Sequence, residues 1–135
     1  MSGPAGLVVD RGNAYGGTVH HVHDGDTPYC LVHDTLAGFP LLLGCRLRGI
    51  NAPELTDPGG PEVRDALWAL IPPGTAVTVS DVTVGDRAGR IVCRVASVNA
   101  PDLSAWLLER GFAVRYSGVG PRPPVPWPPV PPASA

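Results

Sequence analysis

Apolar and polar residues alternate over short stretches of this chain, and alternation of this kind is typical of half-buried β-strands. Turns rich in Gly, Asp and Pro separate these stretches, so we expect several short strands. The predicted strands cover residues 18–23, 27–32 and 40–48, then a segment around Val77 and Val79, and last a segment marked by Ile91, Cys93 and Val95.

Two other stretches repeat their apolar residues at the spacing of an amphipathic helix. The first starts near Pro61 and is stopped by Pro72, and the second is opened by Pro101 and closed by Gly111. One helix after the third strand and one after the fifth predict a mainly β fold with helices (α+β). The predicted architecture is a five-stranded OB-type β-barrel.

By composition, the chain divides into three parts. Residues 1–15 are interpreted as an N-terminal arm or a short first strand, residues 16–118 as the barrel domain, and residues 119–135 as a proline-rich tail. Eight of the last fifteen residues are proline, which excludes a helix or a central strand there. We interpret the tail first as a linker or solvated end. Two alternatives are a P-x-x-P ligand for a polyproline-binding partner and a tail whose Trp127 folds back onto the barrel.

Charge and cysteine usage limit the classes of function. The net charge is −2 and all ten positive residues are Arg, so any binding to nucleic acid must come from local arginines. The three cysteines lie in apolar strand contexts, which predicts buried free thiols and no disulfide framework. We recognise no signal peptide and no apolar run of the ~18–20 residues that span a membrane, so we expect a cytoplasmic protein. We also expect a monomer.

A candidate site begins where the third strand runs into a stiff Asn-Ala-Pro-Glu turn. Arg46 lies on the polar face of that strand, and Asn51 and Glu54 stand at the two ends of the turn. A second acidic turn, with Asp24 and Asp26, precedes the second strand. A guanidinium, a set of oxygen donors and a spare carboxylate together suit metal-assisted attack on a phosphodiester.

Structural roles would explain the same residue types one at a time. Asp24 and Asp26 could be turn formers, and Glu54 could cap a turn or pair with an arginine. We interpret Arg48 and Arg94 as solvated residues of a strand face, although a substrate groove could use them. Each structural role is plausible singly, and the combination is what favours a site.

Three histidines in the first strand raise the question of a zinc site. Adjacent strand residues point to opposite faces, so at most His21 and His23 converge and His20 does not. No cysteine stands at a metal-ligand spacing from them. The pattern therefore favours histidines that do not form a structural zinc site.

Several segments together resemble the staphylococcal nuclease (thermonuclease-like) family, in the same order and at similar spacing. They are the Asp-Gly-Asp-Thr turn at 24–27, Arg46 with the turn at 51–54, and the Asp-Arg-Ala-Gly-Arg segment at 86–90. Residues 107–113 look like the late helix of that family and its glycine stop. The resemblance covers about residues 16–117.

The resemblance implies a bound Ca²⁺, with Mg²⁺ or Mn²⁺ as alternatives. Asp26 would be a direct metal ligand, and the next two ligands would be the Asn51 side chain and the Ala52 backbone carbonyl. The family often has Asp at the position of Asn51. An amide keeps an oxygen donor but removes a negative charge, so we expect weaker metal binding here.

The resemblance also implies the catalytic residues. Glu54 would be the general base, and Arg46 and Arg90 would bind the phosphate. The expected activity is Ca²⁺-dependent hydrolysis of single-stranded or locally open DNA and RNA, with little sequence preference. The alternative is a catalytically weak or silent barrel that binds nucleic acid or protein, and a further one is an adaptor that works through its tail.

Overall fold

The computed structural model describes residues 12–33, 37–85 and 89–132. The predicted N-terminal arm lies largely outside these residues, as do Asp86 and Arg87 of the third resembling segment. The strands and helices in chain order are β1 (Ala14–Asp24), β2 (Thr27–Val32), β3 (Leu41–Leu47), β4 (Ile50–Asn51), α1 (Gly60–Leu70), β5 (Ala76–Val84), β6 (Arg90–Ser97), α2 (Leu103–Glu109) and β7 (Val114–Arg115).

The five longer strands close into a barrel in the order β1-β2-β3-β6-β5. Strands β3 and β6 are parallel, while the other neighbours are antiparallel, including the β1–β5 pair that completes the ring. Helix α1 follows the third barrel strand and α2 follows the fifth. The prediction of a mainly β, five-stranded OB-type barrel with two helices is confirmed.

The barrel interior contains the apolar residues that the alternation predicts to point inward. Each fully buried aliphatic side chain contributes roughly 1.5–3 kcal/mol to folding. Helix α1 adds Val63 and Leu67 to this core, and α2 adds Leu103 and Leu107. The buried strand residues are Val19, Val22, Cys30, Val32, Leu43, Cys45, Leu47, Val77, Val79, Val82, Ile91, Cys93 and Val95.

All three cysteines are buried free thiols, as predicted. The hydrogen bond with Cys45, followed by burial, raises the pKa of the Cys30 thiol above its ordinary value. Cys30 therefore stays protonated at neutral pH and behaves as a small apolar side chain.

The first strand departs from simple alternation at its histidines. Its register against β2 shifts between Val19 and His21, and this bulge brings His20 and His21 side by side, with their Nδ1 atoms 2.7 Å apart. The expectation that only His21 and His23 converge is therefore wrong. The His21 ring stacks on Tyr29 with centroids 4.7 Å apart. Partial burial, then His20 and His23, lowers the pKa of His21, which disfavours the charged form of that ring.

The start of α1 and both ends of α2 carry residues that favour helix termini. Pro61 lies in the first turn of α1, where its missing N–H costs nothing. The Asp102 side chain caps α2 by accepting from the Ser104 N–H at 3.0 Å. Gly111 follows α2 with φ of +71°, which is the left-handed position that commonly ends a helix.

The tail packs back onto the barrel. The Trp127 ring lies against the backbone of Gly59, so closely that a Cβ there would overlap it. A Cβ on Gly111 would lie 2.6 Å from the Val130 carbonyl carbon, so the tail also contacts the end of α2. Of the three interpretations of the tail, the structure agrees with the one in which Trp127 folds back.

The short β4–β7 ladder is a feature that the alternation does not predict. Ile50 pairs with Arg115 and Asn51 with Val114, and the Tyr116 N–H donates to the Gly49 carbonyl at 2.9 Å. This ladder ties the turn after β3 to the start of the tail. Neither helix in the described part of the chain is long and apolar enough to cross a membrane.

Candidate active site

A pocket of about 270 Å³ opens between the end of β1, strand β3, the turn after β4 and the start of β6. Three residues predicted to be catalytic line it, namely Arg46, Glu54 and Arg90. Asp24 and the tail residue Arg122 line it as well. The pocket therefore combines three guanidinium groups with two carboxylates, which suits a polyanionic ligand.

Asp26 does not itself line this pocket and is only 2% exposed, but it contacts Arg46, which does line it. Its Oδ2 accepts from Arg46 Nη1 at 3.0 Å and from the Ala52 N–H at 3.1 Å, and its Oδ1 accepts from the Thr27 hydroxyl at 3.0 Å. Its own carbonyl accepts from the Leu47 N–H at 2.8 Å. Asp26 thus joins the acidic turn to β3 and to the turn after β4, and it orients Arg46.

Asp24 and Asp26 form a pair of carboxylates in one tight turn. The Asp26 N–H donates to Asp24 Oδ1 at 3.2 Å, which holds the two groups together. Burial raises the pKa of Asp24 to about 7, and the charge of Asp26 adds to this effect. A second buried negative charge is costly here, so a proton or a cation near Asp24 stabilises the turn.

Asn51 is buried, and only one of its two polar side-chain atoms makes a hydrogen bond within the described residues. Its Nδ2 donates to the Pro123 carbonyl of the tail at 2.9 Å. Its Oδ1 is buried and accepts no hydrogen bond from the described residues. Leaving a buried acceptor without a partner costs about 1–3 kcal/mol, so this oxygen favours a ligand that can satisfy it.

Glu54 stands on a turn that the backbone holds firmly. The Glu54 N–H donates to Asp57 Oδ2 at 3.0 Å, and the Asp57 N–H donates back to the Glu54 carbonyl at 2.9 Å. The Glu54 carboxylate points outward, with its side chain 59% exposed, and its Oε1 pairs with Arg122 Nη1 at 3.0 Å. A fixed backbone with an exposed carboxylate suits a group that must meet a water molecule.

Arg90 is held from the side by a row of residues on neighbouring strands. Tyr29 on β2, Gly44 on β3 and Arg90 on β6 occupy paired positions across the sheet. Because Gly44 has no side chain, the two flanking side chains meet over it, and a Cβ there would lie 2.9 Å from Arg90 and 3.0 Å from Tyr29. Arg90 Nε donates to the Tyr29 hydroxyl at 3.4 Å.

Arg48 has a structural position, so its interpretation as a solvated strand-face residue is wrong. Its side chain is 21% exposed and pairs with Asp81 Oδ2 at 3.1 Å. It also donates to the Asp81 carbonyl, the Thr83 hydroxyl and the Val92 carbonyl at 2.7–3.0 Å. A bulge in β5 makes this possible, because Asp81 adopts a φ of 51° there. Arg94, in contrast, is 45% exposed, and its Nη1 pairs with Asp102.

The donors of this region agree in chemical type with a hard divalent cation. Asp24 and Asp26 supply carboxylate oxygens, and the buried Asn51 Oδ1 supplies an amide oxygen next to the Ala52 N–H that binds Asp26. Cation binding through Asp26 would compete with the Arg46 ion pair. The described residues contain no cluster of three His, Cys, Asp or Glu side chains that could hold a metal.

Arg122 is the site residue that sequence reasoning missed. It belongs to the proline-rich tail, and no spacing relates it to Glu54, which lies 68 positions earlier. A signal exists in the sequence, since Arg122 is the one charged residue in the tail beyond Gly120. A lone charge in an apolar segment indicates that Arg122 makes a polar contact, but it does not indicate that the contact is with Glu54.

The comparisons with known proteins add no family assignment. No protein-family model matches the chain, and no curated protein matches it significantly in sequence. The resemblance of the motifs to the staphylococcal nuclease family remains a prediction, and so do the roles that it implies.

Proposed function

We propose that this chain is a metal-assisted phosphodiesterase related to the staphylococcal nuclease family. Its substrates are single-stranded or locally open DNA and RNA, and it has little sequence preference. The observation that carries the proposal is the meeting of Arg46, Glu54 and Arg90 around one pocket, with Asp26 bound to Arg46. These residues lie on four separate segments of the chain.

The arginines support the choice of a phosphodiester substrate. A guanidinium presents paired N–H donors that match two oxygens of a phosphate, and such donors stabilise the charge that accumulates during attack at phosphorus. Arg46 is oriented by Asp26, and Arg90 is oriented by Tyr29. Groups that are held in place before the reaction need little reorganisation during it.

Every nucleotide carries the same phosphodiester group, which is the basis for the low sequence preference. The charged side chains of this pocket recognise phosphate and do not distinguish bases. The pocket is small, about 270 Å³, and a flexible single strand can bend its phosphates into it more easily than a stiff duplex can. DNA and RNA share the group that is recognised.

Glu54 is the proposed general base. Its carboxylate is exposed at the pocket and stands on a turn fixed by the two hydrogen bonds with Asp57. In this role it accepts a proton from the attacking water, while the guanidinium groups hold the phosphate. The water oxygen bonds to phosphorus as the P–O bond to one sugar oxygen breaks, and the leaving oxygen takes up a proton from solvent. General-base catalysis of this kind contributes typically 10²–10⁴-fold to the rate.

Asp26 and Asn51 are the side chains that would hold a cation, together with the Ala52 carbonyl. A bound Ca²⁺ supplies Lewis-acid stabilisation of negative charge on phosphate oxygens. The buried Asn51 Oδ1 supports this assignment, because it is an acceptor in need of a partner. The single amide in place of a carboxylate implies modest affinity.

Incubation of the purified chain with labelled single-stranded DNA and RNA tests the proposal. Ca²⁺, Mg²⁺, Mn²⁺ and a chelator are compared at equal ionic strength. We expect cleavage of both polymers with Ca²⁺ and none with the chelator. Cleavage that persists in the chelator would contradict the assigned role of the cation.

A second candidate function is a non-catalytic barrel that binds nucleic acid. The Asn51 amide favours it, because it supplies no negative charge to hold a cation and its Nδ2 group already binds the Pro123 carbonyl of the tail. Binding of single-stranded nucleic acid that is insensitive to chelator, with no cleavage under any cation, would select this candidate.

A further inference from the structure

The tail is held beside the candidate site by contacts with the end of β4 and with the start of α1. The Pro123 carbonyl accepts from Asn51 at 2.9 Å, and Trp127 packs against Gly59. Farther on, Val130 contacts Gly111 at the end of α2. The segment that carries Arg122 therefore has a defined path, even though it contains no helix or strand.

Arg122 lies directly before the residue that anchors the tail. With Pro123 bound to Asn51, the Arg122 side chain projects into the pocket that Arg46 and Arg90 also line. Arg122 and Arg46 line a second, adjoining groove of about 520 Å³ as well, between β3 and residues 116–120. A polymer that continues from the pocket into this groove would pass Arg122.

The contact that Arg122 makes is easily exchanged. Its ion pair with Glu54 joins side chains that are 42% and 59% exposed, and exposed ion pairs of this kind are weak. A phosphodiester in the pocket would present oxygens to the same guanidinium in a geometry that arginine favours. Release of Glu54 from this pair would also leave its carboxylate available to the attacking water.

We propose that Arg122 is a third phosphate-binding arginine, which the tail delivers to the site. Its ligand is the phosphodiester backbone of a single-stranded nucleic acid. The inference deepens the proposed function and rests on it. It gives the proline-rich tail a direct part in substrate binding and gives Asn51 the task of fixing the tail.

The test compares Arg122→Ala and Arg122→Lys with Arg115→Ala in the full chain. Arg115 is exposed on β7 and does not line the pocket, so its removal makes the same change in charge nearby. Binding of a fluorescent single-stranded DNA is measured in chelator, where no cleavage is expected, from 50 to 200 mM salt. Cleavage of the same DNA is measured with Ca²⁺.

We expect Arg122→Ala to weaken binding about tenfold at the lower salt concentration, as loss of a charge-assisted contact predicts. The slope of log K against log salt should fall in magnitude by about 0.7, the value for one phosphate contact on a single strand. Arg122→Lys should keep most of the slope, and Arg115→Ala should match the wild type. Equal or tighter binding by Arg122→Ala would overturn the inference. Faster cleavage by Arg122→Ala would also overturn it, because Arg122 would then act as part of an inhibitory cover.

The proposed function is judged separately, from the wild type. If the wild type neither binds nor cleaves the DNA, the proposed function fails. Calorimetry with inorganic phosphate then tests whether Arg122 binds phosphate at all. Phosphate binding that Arg122→Ala weakens would preserve a phosphate site at Arg122. Phosphate binding unaffected by the substitution, or absent altogether, would remove it.

Discussion

Replacing Asn51 by aspartate separates the two tasks that the structure gives to this side chain. The Asn51 Nδ2 group donates to the Pro123 carbonyl, whereas its Oδ1 faces a buried region without a hydrogen-bond donor from the described residues. Asn51→Asp keeps the shape and the Oδ1 oxygen. It replaces the donor by an acceptor that faces another acceptor, and it adds a negative charge.

The expected cost follows from the burial of this position, which is 6% exposed. The lost hydrogen bond accounts for about 1 kcal/mol of stability. A buried charge without a partner costs about 3–5 kcal/mol, and partial protonation of the new carboxyl reduces that figure. We expect a loss of about 2–4 kcal/mol in chelator at neutral pH, or roughly 10 °C in the melting temperature.

Calcium should reverse much of this loss, because the new carboxylate is a better ligand than the amide. Binding to the folded state adds about 2.7 kcal/mol when the cation is at 100 times its Kd. Thermal unfolding followed by circular dichroism, in chelator and then across a Ca²⁺ series, measures both effects. The wild type should gain less from Ca²⁺ than Asn51→Asp does.

Asn99→Asp is the matched control. The Asn99 Nδ2 group donates to the Leu70 carbonyl at 3.1 Å, so the same contact is lost, but at an exposed position. We expect a loss below about 1 kcal/mol and no particular recovery with Ca²⁺. An Asn51→Asp protein as stable as the wild type in chelator would refute the tail contact. A loss that Ca²⁺ does not restore would refute Asn51 as a metal ligand.

Two further predictions concern ionisation. Because the pKa of Asp24 is raised to about 7 in the folded state from an ordinary value near 3.8, the folded protein holds a proton that the unfolded chain releases between these values. The free energy of unfolding should therefore fall as the pH rises from 4 to 7, by at most about 1.4 kcal/mol per pH unit. Asp24→Asn should flatten this dependence when unfolding is measured in chelator. A pH profile that Asp24→Asn leaves unchanged would contradict the raised pKa. The buried thiols, with the pKa of Cys30 raised, should not react with a thiol reagent at pH 8 in the native protein, and all three should react after denaturation. Rapid labelling of the native chain would show that the barrel opens.

The barrel could be predicted from the sequence because its signals are local. Each barrel strand carries its own alternation, as Cys45 and Leu47 illustrate, and each helix carries its own end signals at Pro61 and Gly111. The acidic turn and the turn after β4 are equally local. Closure of the barrel then brings Asp26 into contact with Arg46. No motif in the intervening residues is needed for this contact.

The features that escaped prediction depend on contacts between distant residues. The β4–β7 ladder has only two residues on each side, which is too short for a period, and it forms because Asn51 meets Val114 in the fold. Arg48 is enclosed because a bulge in another strand presents Asp81 to it. The composition of the tail excludes helix and strand and leaves the packing of Trp127 onto the barrel as one of three alternatives, because nothing in the tail itself points to Gly59.

The most direct test of the central claim is the turnover of Glu54→Gln on a single-stranded oligonucleotide in Ca²⁺, beside the wild type and Glu62→Gln. Glu62 is exposed in the first turn of α1 and serves as the control for the loss of one carboxylate. If Arg46, Glu54 and Arg90 work as one site on a phosphodiester, Glu54→Gln should lower kcat by about 10²–10⁴-fold, with an unchanged melting temperature. Glu62→Gln should match the wild type. Full activity of Glu54→Gln would contradict the account.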